Sequence, residues 1–159
     1  VLVSTSEKST QAMEAARALK ITPALEHIVE ANTLLSGLGF ESSGLAAAHS
    51  IHNGLAVAPQ TRAFYHGEKV AFSTLAQLVL EKAPLSELEE VMSFCRRVGL
   101  PITLAQIGLQ EPTRDLREQI ALRAVQTGES IHNEPFEVSS AQLVDAIVRA
   151  DELGRSWQE

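Results

Sequence analysis

Apolar residues recur at intervals of three and four along almost the whole chain, and no segment alternates apolar with polar residues long enough to suggest a strand. This periodicity restricts the chain to helices, which glycines and prolines divide with short turns. Ser4 or Ser6 can cap a first helix with Ala12, Met13, Ala16 and Leu19 on its apolar side. A second starts near Pro23, carries Leu25, Ile28, Val29 and Leu35, and is expected to stop at Gly37 and Gly39. A third covers residues 44–58 and stops before Pro59; a fourth runs over 67–82, apolar nearly all round and therefore buried. Ser86 and Glu89 form a capping-box pattern opening a fifth, which ends at Gly99 before Pro101. Residues 103–107 suit a short helical turn. A sixth helix spans 113–126 and halts at Gly128, residues 130–138 read as a loop, and a seventh extends from Ser139 or Ser140 past Leu153. The expectation is an all-α bundle of about seven helices in one domain, 1–159.

Composition narrows the function classes. The 13 basic against 20 acidic residues give a net charge of −7 with no Lys/Arg cluster, which disfavours nucleic acid and anionic membranes as partners. The longest apolar run, 70–80, is interrupted by Ser73, Thr74 and Gln77 and is too short to span a bilayer. Cys95 is the single cysteine, so no internal disulfide can form and a reducing cytoplasm is the expected location. The opening VLVSTSEKS lacks both a basic n-region and a methionine, which suggests a processed or excised chain.

Candidate chemistry concentrates in GFESSGLAAAHSIHNGLAVAPQTRAFYHGEK, residues 39–69. Gly37, Gly39 and Gly44 superficially resemble a dinucleotide-binding turn, but their spacing is wrong and a helix rather than a strand precedes them. His49 and His52 lie three positions apart on one helix face, and His66 follows after a turn through Pro59 that can bring a second helix start alongside. Neutral imidazole is a common transition-metal ligand, so a metal held between two helices suits this layout. Glu41 and Glu68 are near enough in sequence to act as ligands or supporting groups. A helical histidine is more often simply hydrogen-bonded, and the three do not form a tight ligand signature. His27, beside Glu26 and Glu30, reads as solvated. His132 reads as closing a turn, and Cys95 as a buried small residue.

Three segments, GFESSGLAAAHSIHNGL, YHGEKVAFSTLAQLVLEKAP and VGLPITLAQIG, resemble the glycerol dehydrogenase branch of the iron-containing alcohol dehydrogenase family. The similarity extends from Thr22 through ESIHNEP to the final helix. It implies the helical C-terminal domain of the dehydroquinate synthase-like fold and NAD-dependent oxidation of glycerol to dihydroxyacetone at a single zinc ion. By the family motif, His49 and His66 are metal ligands, while His52 and Phe40 line the substrate pocket. The third family ligand is an aspartate in an upstream GDAL-type segment with no counterpart in these 159 residues, and Glu41 and Glu68 belong to other family positions. The N-terminal NAD-binding α/β domain also has no counterpart here. The resemblance further implies a homo-oligomer, consistent with apolar surface left where a domain normally packs.

Overall fold

The computed structural model describes residues 2–157. Its described part is all-helical, with no strands. The described residues form two compact units, divided between Gly44 and Leu45. The first contains α1 (Leu2–Arg17) packed on α2 (Pro23–Glu30), which continues through a π-helical segment (Ala31–Leu35) into α3 (Ser36–Ser43). Counting that rod once, the eight α-helical segments of the described residues make seven helices.

Local chemistry explains where the helices of the first unit start and stop. Helix α1 already runs from Leu2, so Ser4 and Ser6 lie within it instead of capping it. Ala12 and Ala15 are buried, but Leu19 falls beyond the helix end with φ 53° and is 94% exposed, not on the apolar face. It closes the helix: Lys20 N–H donates to Ala15 O at 2.9 Å and Leu19 N–H to Ala16 O at 3.1 Å, the paired bonds of a left-handed C-terminal stop. Thr22 caps α2, accepting from Leu25 N–H, and Pro23 occupies the first turn as expected. The rod does not stop at Gly37 or Gly39. It continues to Gly44, whose φ of 73° breaks it. Within the rod, Thr33 Oγ1 donates to Val29 O at 2.7 Å and Ser36 Oγ to Asn32 O. Hydroxyls that occupy carbonyls one turn back compete with the backbone ladder, and the helix widens to π at this point.

The second unit holds α4 (Ala47–Leu55), α5 (His66–Leu80), α6 (Leu85–Val98), α7 (Arg114–Ala124) and α8 (Ser140–Ser156). Helix α4 packs on α5 and α7, and α8 packs on the same two. Ala47, Ile51 and Leu55, spaced by four, bury one side of α4 against Phe72, Leu75 and Ala76 of α5, Ile120 and Ala124 of α7, and Leu143 and Ile147 of α8 in a shared core. Gly54 permits the α4–α7 crossing, since a Cβ there would stand 2.4 Å from Ile120 O. Cys95 of α6 lies in the core, and burial pushes its thiol up to about 11.

Most boundaries follow the sequence, with one exception in kind. Gly99 ends α6 with φ 77°, and Thr113 and Ser139 cap α7 and α8. Ser86 does not cap α6: the helix starts one residue earlier, with Pro84 at the cap and no side-chain bond. The expected turn near residue 105 is a 3-10 segment (Ala105–Ile107), and a second (Ser130–Asn133) sits within the loop ahead of α8.

Candidate metal centre

The site is built where α4 turns back into α5. After Leu55 the chain enters a 3-10 turn (Pro59–Ala63), pinned by buried Thr61, whose hydroxyl bonds the carbonyls of Leu55 (2.9 Å) and Ala58 (3.0 Å). This reversal delivers His66, the first residue of α5, to the face of α4 that carries His49 and His52. The His49 and His66 ring centroids are 5.4 Å apart, and His52 and His66 meet edge-on at 4.3 Å. His66 Nδ1 is 3.2 Å from His52 Nε2. Glu68 is occupied in starting α5, its carboxylate accepting Tyr65 N–H at 2.7 Å. Phe40 belongs to α3 in the first unit and is 58% exposed. Glu41, in the same segment, is also exposed.

The electrostatics favour neutral rings on α4. Burial, and secondarily the charge of His66, lowers the pKa of His49. Burial also lowers that of His52, opposed by its bond to Asn53 and reinforced by His66, Lys69 and His49. A neutral imidazole keeps a nitrogen lone pair for a metal. Among the described residues, no three His, Cys, Asp or Glu side chains are grouped as one metal ion's ligands.

Remote residues that sequence reasoning missed hold α4 in place. Its cap position is Ala46, which has no side-chain oxygen, so the first N–H groups look elsewhere. Ala47 N–H donates to Glu134 Oε1 at 3.0 Å and Ala48 N–H to Gln77 Oε1 at 2.8 Å. Ser130 Oγ donates to Ala46 O, Asn133 Nδ2 to Leu45 O, and Ile131 N–H to Ser50 Oγ. The SIHNE stretch thus clamps the start of the histidine helix. Burial raises the pKa of Glu134, the Ala47 bond opposes that, and neighbouring Glu81 adds to it. Within the same stretch, His132 donates Nε2–H to Gln126 O at 3.1 Å and closes the turn. These bonds join residues 29 to 88 positions apart, and no short-range pattern announces them.

Comparison with known proteins gives first a class and then a family. The fold is that of the helical part of a dehydrogenase: it matches the crystal structure of a glycerol dehydrogenase from Schizosaccharomyces pombe with a TM-score of 0.94 and 41% identity, over 99% of this chain and 40% of that one. Among curated relatives, the glycerol dehydrogenase of Pseudomonas putida is 52% identical over 153 residues, covering 96% of this chain and 42% of that protein. That of Thermotoga maritima is 56% identical over 135 residues, 85% of this chain and 37% of that protein. The chain belongs to the glycerol dehydrogenase family of oxidoreductases, and spans about two fifths of the length of the curated relatives it matches. No family model matches it. Among the described residues, no helix is long and apolar enough to cross a membrane.

Proposed function

We propose that this chain is the metal-bearing helical part of a glycerol dehydrogenase which, when complete, oxidises glycerol or a similar small polyol to dihydroxyacetone or its analogue with NAD. The observation that carries this reading is the meeting of His49 and His66 across the Pro59–Ala63 turn, in a chain 52% identical to a known glycerol dehydrogenase. Zinc suits the donor set present: imidazoles on two elements, one whose pKa burial lowers and the other exposed at a helix start. Bound there, zinc would supply a Lewis acid that lowers the pKa of a substrate hydroxyl ahead of hydride loss. His49 and His66 would hold the ion and His52 would stand beside it, while a third ligand, an aspartate, is assigned to residues outside this chain. A dinucleotide fold needs strands, and the described residues contain none, so NAD contacts are assigned outside the chain as well. A reducing cytoplasm suits the single cysteine.

The test is NAD reduction by the isolated chain with glycerol and zinc, alongside calorimetric zinc titration. We expect weak zinc binding that His49→Ala or His66→Ala abolishes, and little or no turnover. Turnover comparable to a complete dehydrogenase, lost in His49→Ala, would overturn the incomplete-site reading.

A second reading, self-association without catalysis, is favoured by the apolar side chains left exposed along the first unit's rod. Val29, Leu34, Leu35, Leu38 and Phe40 are 42–58% exposed. Light scattering at high concentration should show a homo-oligomer, and a clean monomer would exclude this reading.

A further inference from the structure

Two of the three histidines, His52 and His66, are linked by a directional hydrogen-bond chain that begins outside the candidate centre. Asn53 Nδ2 donates to Glu129 Oε2 at 2.8 Å, while Arg123 bonds the other carboxylate oxygen. Asn53 Oδ1 lies 3.2 Å from His52 Nδ1, and His52 Nε2 lies 3.2 Å from His66 Nδ1. We propose that Glu129 and Asn53 are positioning residues that dictate, by way of His52, which nitrogen of His66 carries its proton, leaving His66 Nε2 bare.

Donor and acceptor inventories fix each link in turn. An ionised carboxylate only accepts, so Asn53 must turn its NH2 toward Glu129 and its oxygen toward His52. The reversed amide would set two acceptors against each other at 2.8 Å. An amide oxygen also only accepts, so His52 must carry its proton on Nδ1. A neutral imidazole protonated there has a bare Nε2, and that nitrogen faces His66 Nδ1. His66 therefore donates from Nδ1, and its own Nε2 is unprotonated. Among the described residues, no group is hydrogen-bonded to that nitrogen.

The bond from Asn53 holds Glu129 below the usual carboxylate range, so it remains an acceptor at neutral pH. Metal-bound histidines are commonly oriented by just such an acceptor on the second nitrogen. Here the orienting acceptor is another histidine, itself oriented from α7 and the loop after it.

Only the consequence for zinc rests on the reading of His66 as a ligand; the tautomers can be measured without metal. The experiment is two-bond 1H–15N spectroscopy of the 15N-histidine-labelled chain, at a pH where its imidazoles are neutral. In the wild-type chain His52 and His66 should both be protonated on Nδ1. Glu129→Gln is nearly isosteric, yet it should invert the chain: the glutamine oxygen stays on Arg123, its NH2 faces Asn53, and His66 moves its proton to Nε2. Asn53→Ala cuts the link without touching Glu129 and should leave His66 exchanging between tautomers. A purely structural role would lower thermal stability without inverting any tautomer. Zinc alone, titrated into the same samples, should bind about tenfold or more weakly to both variants, read at the His66 resonances. A wild-type His66 protonated on Nε2, or a folded Glu129→Gln chain that keeps His66 protonated on Nδ1, overturns the proposal. Zinc that leaves His66 unshifted in the wild-type chain overturns the ligand reading instead, and the tautomer spectra then decide the relay by themselves.

Discussion

Helices α4 and α8 belong to the same unit and share one core, yet they begin in different ways. In α8 the first turn is closed by its own neighbours: Gln142 N–H donates to Ser139 Oγ at 3.2 Å, and Ser139 N–H donates to Gln142 Oε1 at 2.9 Å. In α4 the equivalent amides are satisfied by Glu134, 87 residues away, and Gln77, 29 residues away. A locally capped helix can start wherever its sequence dictates. One capped from afar starts only when the rest of the fold is in place, and that dependence ties the position of His49 and His52 to the loop before α8.

The comparison can be broken at several levels, beginning with what the two helices have in common. Ile51 of α4 and Ile147 of α8 are both fully buried, so Ile51→Ala and Ile147→Ala should each cost about 2–5 kcal/mol in chemical denaturation. A much smaller cost at Ile51 would mean that α4 is not part of the common core. Next come the caps. Glu134→Ala should cost about 1–2 kcal/mol, and it should speed amide exchange at Ala47 across to a different element, the SIHNE loop. Ser139→Ala should cost about 1 kcal/mol, with faster exchange confined to the first turn of α8. Equal, purely local effects in both helices would erase the distinction between the two caps.

Acidity sharpens it further. The raised pKa of Glu134 means that the folded chain binds its proton more tightly than the unfolded chain. Its contribution to stability is therefore largest below the ordinary glutamate range and is lost as pH rises through the raised value. Glu129 behaves in the opposite sense: its lowered pKa adds stability above the ordinary range, lost as pH falls through the lowered value. Stability measured against pH should lose the first slope in Glu134→Gln and the second in Glu129→Gln. Protonated Glu134 still accepts at Oε1, so the cap itself survives acidification. The smallest effect is expected at Ser86. Despite its sequence pattern it caps nothing, and Ser86→Ala should change stability by less than about 0.5 kcal/mol.

The same contrast explains what could be read from the residues in advance. Helix content, the Gly99 stop, the Thr113 and Ser139 caps and the reversal through Pro59 all depend on chemistry within a few positions, and each is visible in the string. The end of α1 was not visible, because Leu19 adopts the left-handed conformation that glycine usually marks; α5 stops at Leu80, two residues short of the expected 82, where Lys82 takes the same conformation. Gly37 and Gly39 misled in the opposite way: glycine permits a stop but does not compel one, and the rod passes through both. At the site, the histidine cluster was legible from spacing. The side chains that fix it, Glu134, Gln77, Asn53 and Glu129, were not, since their pairings close loops of 29 to 87 residues or depend on which way an amide faces.

Cys95 gives the molecule a built-in clock. It is the single thiol in the chain, it is 3% exposed, and its pKa of about 11 leaves almost no thiolate at neutral pH. An alkylating reagent can reach it only when α6 lifts from the core, so the labelling rate counts those openings directly. No probe need be introduced to follow how often the larger unit breathes, or whether zinc slows it.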